Sequence, residues 1–183
     1  MSMESGKSLT SIGALLLVIG SFIPFLGIVG FIFMMFGLNA LANYYKERGI
    51  FDKALWAVIF GVIGAVAAGF IMMAIMFSGS FLGFENGIGA NWAALFGGMA
   101  VALVVAFIFY ILMAIYFRKS FDLLATKTGN SMFRTAGLLL LIGAILTIVF
   151  IGLVLIFVAW ILLTIAFFSL PNAPPPPGQV APA

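Results

Sequence analysis

Ser21–Phe31 reads SFIPFLGIVGF and lies inside a stretch with no charged residue between Lys7 and Lys46. Pro24, Gly27 and Gly30 stand where an uninterrupted membrane helix would carry none. Proline removes a backbone donor and clashes with the preceding turn, while Gly27 and Gly30 relax the chain at a bend. The reading of this stretch decides the topology, because the apolar block around it, Leu9 to Tyr45, would reach about 54 Å as one helix. Fitting that into about 30 Å of hydrocarbon needs a tilt of about 56°, beyond the usual limit of about 40°. The block must turn back, and Pro24 and Gly27 are the expected hairpin turn.

Outward from this block, charged residues mark the other boundaries. They fall at Glu4 and Lys7, at Lys46, Glu47, Arg48, Asp52 and Lys53, at Glu85, and at Arg118, Lys119, Asp122, Lys127 and Arg134. Between them lie three more apolar blocks, Ala54 to Phe77, Asn91 to Phe117 and Thr135 to Leu170. The middle two are ordinary spanning helices, and the last, as long as the first, must also turn back. "IGALLLVIG" (Ile12 to Gly20) recurs as "AGLLLLIG" (Ala136 to Gly143), each followed by a Gly-containing turn and a second apolar stretch ending in aromatics. The outer blocks therefore read as a weak internal repeat. The second copy lacks the Pro and has Thr147 and Gly152 near its turn.

Composition sets the class. The 183 residues are 65% hydrophobic and 7% charged with a mean hydropathy of +1.32, against about 25% charged in a soluble domain. The fold class is an all-α polytopic membrane protein. It has about six helices, with two short outer hairpins flanking a central helix pair that packs through small residues. The expected helices run about 9–22, 25–44, 54–77, 91–117, 134–147 and 150–170, the first and fifth being short. Residues 1–8 form an N-terminus, 9–170 a single membrane domain, and 171–183, "PNAPPPPGQVAPA", an extended Pro-rich tail. The run after Lys7 continues far past a signal peptide's length without a small-x-small cleavage site, so it reads as a retained anchor.

The positive-inside rule orients the chain. Lys46, Arg48 and Lys53 precede the second block and Arg118, Lys119, Lys127 and Arg134 follow the third, whereas the loop between those blocks holds only Glu85. The basic loops are thus expected in the cytoplasm of a multi-pass cell-membrane protein, with both termini on the same side. The charges do not separate a hairpin that crosses fully from one that dips in and returns, since both leave their ends together.

In lipid, close backbone approach through small residues drives helix association. Ala57, Gly61, Ala65 and Gly69 recur every fourth residue in the second block, and Ala94, Gly98, Ala102 and Ala106 do so in the third. These stripes are expected to pack on each other within one chain, or one of them to make a homodimer. Gly13, Gly20 and Gly27, at sevenfold spacing, offer a third such face. The implied partners are membrane lipid and a homo-oligomer or a partner in a membrane complex. A net charge of +3, held in two short clusters, gives no face for phosphates, so nucleic acid is not expected.

Little chemistry is available. With no Cys and no His, disulfides, thiolate chemistry, haem ligation by His and the usual zinc sites are absent. No catalytic, cofactor-binding or metal residue is assigned, and no cofactor is expected. Glu47 and Asp52 are the one carboxylate pair that could act as acid and base, but they stand among Lys46, Arg48 and Lys53 and read as a charge-paired loop. Asn39 and Asn43, at i and i+4, suit capping or an interhelical hydrogen bond. The connector from Arg118 to Arg134 reads as an interfacial amphipathic stretch ending at Gly129, or as a folded loop.

"NYYKERGIFDKAL" (Asn43 to Leu55) and "SFDLLATKTGNSMFRTAGLLLLIGAILTIVFIGLVLIFVAWILLTIAFFSL" (Ser120 to Leu170) resemble the archaeal integral-membrane family called domain of unknown function 996. The resemblance runs over nearly all of Ser8 to Leu170, with Tyr-Tyr-Lys and Met-Phe-Arg-Thr-Ala-Gly its most specific segments. It implies the archaeal cell membrane and brings no activity or functional residue. The expected function is a non-catalytic membrane scaffold or accessory subunit that self-associates or joins a complex. A passive channel or carrier for a small neutral or apolar solute is the alternative, and an enzyme is not expected.

Overall fold

A computed structural model describes residues 3–77 and 88–170. Glu85 and the Pro-rich tail lie outside the described residues, as do the side chains of Pro24 and Ala94. Six helices follow in order: α1 (Met3–Gly20), α2 (Pro24–Tyr44), α3 (Arg48–Phe77), α4 (Ile88–Thr128), α5 (Ser131–Leu146) and α6 (Ile151–Phe168), with a 3₁₀ turn at Thr147–Val149 before α6. No strand occurs among the described residues. All but α1 contain a segment long and apolar enough to cross a membrane, and α1 carries Glu4 and Lys7 in its first turns.

The opening stretch is a helical hairpin. α1 ends at Gly20, the chain turns through Ser21–Ile23, and Pro24 is the first residue of α2. Proline suits that position, because the N–H it lacks would have no helical partner there. Gly27 lies inside α2 rather than in the turn, and its role is close approach. The second outer block is also a hairpin, with α5 packed on α6. Its break is the 3₁₀ turn followed by Phe150 in the left-handed region, φ 63°. No proline is needed there, because the turn residue itself reverses the chain.

The connector expected at the interface is instead the end of α4, which runs on without a break to Thr128. No Pro or Gly interrupts it, and Phe117, Phe121, Leu124 and Ala125 continue one apolar stripe that is buried along its length. The helix stops where Gly129 takes φ 70° and its N–H reaches the Ala125 carbonyl at 2.9 Å, a glycine C-cap. Asn130 then caps α5, its side-chain oxygen accepting from the Met132 N–H at 3.0 Å.

Contacts within the chain gather in two compact units. The larger contains both hairpins, the first turns of α3 and the end of α4. α1 packs on α2 and on α6, and the core holds the fully buried Phe117, Phe121, Phe133 and Phe167 with Met34, Leu38, Leu41 and Leu163. Phe133 and Phe167 meet edge to face at 4.9 Å, joining α5 to α6. The smaller unit, Val58–Met113, contains the rest of α3 and α4. Large side chains such as Phe70, Val101 and Leu103 stand exposed along it, a surface that suits acyl chains rather than water.

Candidate functional site

The hairpins are held by glycines that let backbones touch. A Cβ added to Gly30 would stand 2.7 Å from the Leu16 Cβ and 2.8 Å from the Gly13 oxygen, and one on Gly37 would meet the Thr10 N at 2.5 Å. Gly13 faces Gly30 and Met34, and Gly20 faces Gly27. The sevenfold Gly13, Gly20, Gly27 series is therefore not one face of one helix. Two of its members belong to α1, and the third stands on α2 opposite Gly20. The second hairpin repeats the device, with Gly143 against Gly152 and Ile156. Gly20 and Gly143, matched by the internal repeat, each meet a glycine just past the turn.

In the Val58–Met113 unit three glycines receive large side chains instead of other small residues. Gly61 lies against Met113, Gly64 against Phe109 and Gly98 against Ile75. A fourfold spacing drifts by about 40° per step round an α-helix, so a stripe of four residues turns through about 120°. Ala57 is accordingly buried, whereas Ala65 and Gly69 are exposed. The face that is used continues through Gly64, seven residues from Ala57 and three from Gly61. On α4, Ala102 is buried and Ala106 half-buried. A Cβ on Gly69 or Gly97 would meet nothing within 4 Å.

Charged and polar groups collect at the ends of the larger unit's helices. The Lys127 ammonium lies 3.1 Å from the Glu47 carboxylate. Asp122 is flanked by Arg118 at 3.8 Å and Arg134 at 3.9 Å, ion pairs longer than hydrogen bonds. The Ser120 hydroxyl donates to the Ile50 carbonyl at 2.6 Å in a fully buried position. Asn130 donates from its side-chain amide to the Ser169 hydroxyl at 2.9 Å, and the Lys7 ammonium donates to the Leu170 carbonyl. These bonds clasp the ends of α1, α3, α4, α5 and α6. Asn130 went unremarked in the sequence, though a Gly-Asn pair before an apolar run is the signature of one helix ending and the next being capped.

Sequence candidates for chemistry are not assembled into a reaction centre. Glu47 is engaged by Lys127, and Asp52 is exposed. The Asn43 amide reaches the Asn39 side-chain oxygen of its own helix, at 3.5 Å. No group of three His, Cys, Asp or Glu side chains able to hold a metal occurs among the described residues. Tyr44 and Tyr45 meet edge to face at 5.1 Å. Burial, and secondarily the neighbouring Tyr44, pushes the Tyr45 phenol above its ordinary 10.0.

A family model described as "Protein of unknown function (DUF996)" matches residues 26–161. The chain is also 32% identical over 176 residues to the uncharacterized protein MJ1644 of Methanocaldococcus jannaschii, an alignment covering 94% of this chain and 95% of that one. No solved structure matches it.

Proposed function

The chain belongs to the DUF996 family of proteins of unknown function, and from that premise we propose that it is a non-catalytic membrane scaffold or accessory subunit that self-associates or joins a membrane complex. The observation that carries this reading is the small-residue surface left open on the Val58–Met113 unit. Ala65 and Gly69 are exposed on α3, and nothing stands within 4 Å of a Cβ built on Gly69 or on Gly97 of α4. In lipid such a surface gains from another helix that approaches it closely. Glu47, one half of the carboxylate pair in the sequence, lies 3.1 Å from the Lys127 ammonium, which fits the charge-paired reading. Proton or ion coupling normally needs charged or readily titrated groups along a path, and Ala54–Ile75 and Phe96–Phe117 carry no Asp, Glu, Lys, Arg or His. The positive-inside rule supports a cytoplasmic position for the basic segments Lys46–Lys53 and Arg118–Arg134, and with it for both termini.

The test is cross-linking through Gly69→Cys and Ala65→Cys in this naturally Cys-free chain, together with its mass in nanodiscs. A dimer or a co-purified membrane partner that Gly69→Leu abolishes supports the reading. A monomer with no partner in native membranes overturns it.

A further inference from the structure

We infer that both hairpins are re-entrant: their tips stop within the hydrocarbon of the leaflet opposite the basic turns, where one shared apolar cap contacts lipid acyl chains. Reach is the first ground. From Arg134, exposed near the start of α5, to Leu146 at its end is about 18 Å of helix, and from Lys7 to Gly20 is about 20 Å. The hydrocarbon is about 30 Å thick. α2 and α6 are longer, 21 and 18 residues or about 31 and 27 Å, but the arms that carry Lys7 and Arg134 set the depth of the tips: with those two residues held at one headgroup level, the tips fall short of the other.

The chemistry of the tips is the second ground. Phe22 and Phe150 are each 77% exposed, and Ile23, Phe25, Ile148, Val149 and Ile151 are exposed beside them. No charged residue lies between Lys7 and Lys46 or from Thr135 to the end of the chain. A turn meeting water would gain nothing from seven bare apolar side chains, whereas acyl chains solvate all of them.

Several polar groups at the turns bond within the chain, as hydrocarbon favours. The Ser21 hydroxyl donates to the Leu17 carbonyl at 3.3 Å and the Thr147 hydroxyl to the Gly143 carbonyl at 2.8 Å. The backbone N–H of Phe22 and that of Ile23 both donate to the Ile19 carbonyl, at 3.0 and 3.2 Å, and the Phe150 N–H donates to that of Thr147 at 3.0 Å. Pro24 brings no N–H to the start of α2. Phe22 of the first turn meets Phe157 of α6 edge to face at 5.9 Å, so the first tip lies against the second hairpin.

Depth quenching tests this. Phe150→Cys and Phe22→Cys are labelled separately with a membrane-permeant bimane in proteoliposomes, with Ile148→Cys as a second tip position should either fail to fold. Thr126→Cys, exposed on the last turns of α4, is the aqueous reference. The expected result is that lipid brominated at mid-chain quenches the tip labels several-fold more than aqueous iodide does, with the order reversed at Thr126→Cys. An impermeant maleimide added to intact cells should then leave the tip cysteines unreacted. Iodide quenching together with maleimide reaction at the tips would overturn the inference, because the turns would be in water. Protection from both quenchers would also overturn it, because protein rather than lipid would cover the cap.

Discussion

Glu47 accepts the Lys127 ammonium at 3.1 Å, so the turn leaving α2 is tied to the last turn of α4. Both side chains remain about a third exposed or more, at 33% and 40%, which limits the pair to about 0.2–1 kcal/mol. Glu47→Gln and Lys127→Met should each lower stability by no more than about 1 kcal/mol. A double-mutant cycle by thermal unfolding in detergent should give a coupling in that range that shrinks at high salt.

The glycines of the first hairpin are a stronger constraint. A Cβ on Gly13 would lie 2.7 Å from the Gly30 oxygen and 2.8 Å from the Met34 Cα, and neither backbone can yield as a flexible side chain would. Gly13→Ala should therefore destabilise by about 1–3 kcal/mol, the usual range for overpacking. Gly69→Ala, with open space around it, should be neutral or stabilising by up to about 1 kcal/mol through helix propensity. Equal losses at the two positions, measured in the same detergent, would contradict the proposed close approach of α1 and α2.

The contrast between these glycines explains what the sequence could and could not convey. That the first block turns back was legible, because no helix of that length fits the bilayer and Pro24 offers a place to break. The partner of each small residue was not. Spacing alone cannot say that Gly20 and Gly27 belong to facing helices, since that depends on where the turn falls, nor that the face through Ala57 and Gly61 continues at Gly64 rather than Ala65 and Gly69. That last choice is the drift of a 3.6-residue turn against a fourfold stripe. The continuation of α4 to Thr128 was hidden by its charges, which set the connector apart as an interfacial amphipathic stretch or a folded loop although Phe117, Phe121 and Leu124 keep helical spacing. Asp122 and the basic residues between them merely occupy the other face.

Ser120 ties that continuation to the start of α3. Its hydroxyl donates at 2.6 Å to the Ile50 carbonyl, and the residue is fully buried. Ser120→Ala should cost about 0.5–1.5 kcal/mol, the net worth of one such bond. Ser120→Leu should cost more by adding volume to a filled site. Chemical unfolding of the purified protein reads both, and an unchanged midpoint for Ser120→Leu would show the site to be loosely filled.

Stability should also fall at alkaline pH through Tyr45, which lies just beyond the apolar span of α2. Its folded phenol is raised above 10.0, burial being the main cause. Below about pH 10 the phenol is neutral in both states and the fold loses nothing. As pH rises through that value toward the folded one, the unfolded chain ionises first, binds fewer protons than the native state and is favoured. Tyr45→Phe should remove this part of the alkaline loss, so the wild-type and variant melting curves should diverge above pH 10 and run parallel below it.

Phe150 offers the sharpest test of local backbone geometry. It is a bulky residue at φ 63°, where a Cβ meets the neighbouring carbonyl. Its side chain is largely exposed, so removing it sacrifices little contact inside the chain. Phe150→Ala keeps the Cβ and its strain, while Phe150→Gly removes both. The difference between the two variants should favour glycine by about 1 kcal/mol, within the cost assigned to a left-handed L-residue and less glycine's greater entropy in the unfolded chain. Thermal unfolding of the pair isolates that difference, because both variants lose the same ring. If alanine proved as stable as glycine, the turn between α5 and α6 would not adopt the left-handed conformation at this residue.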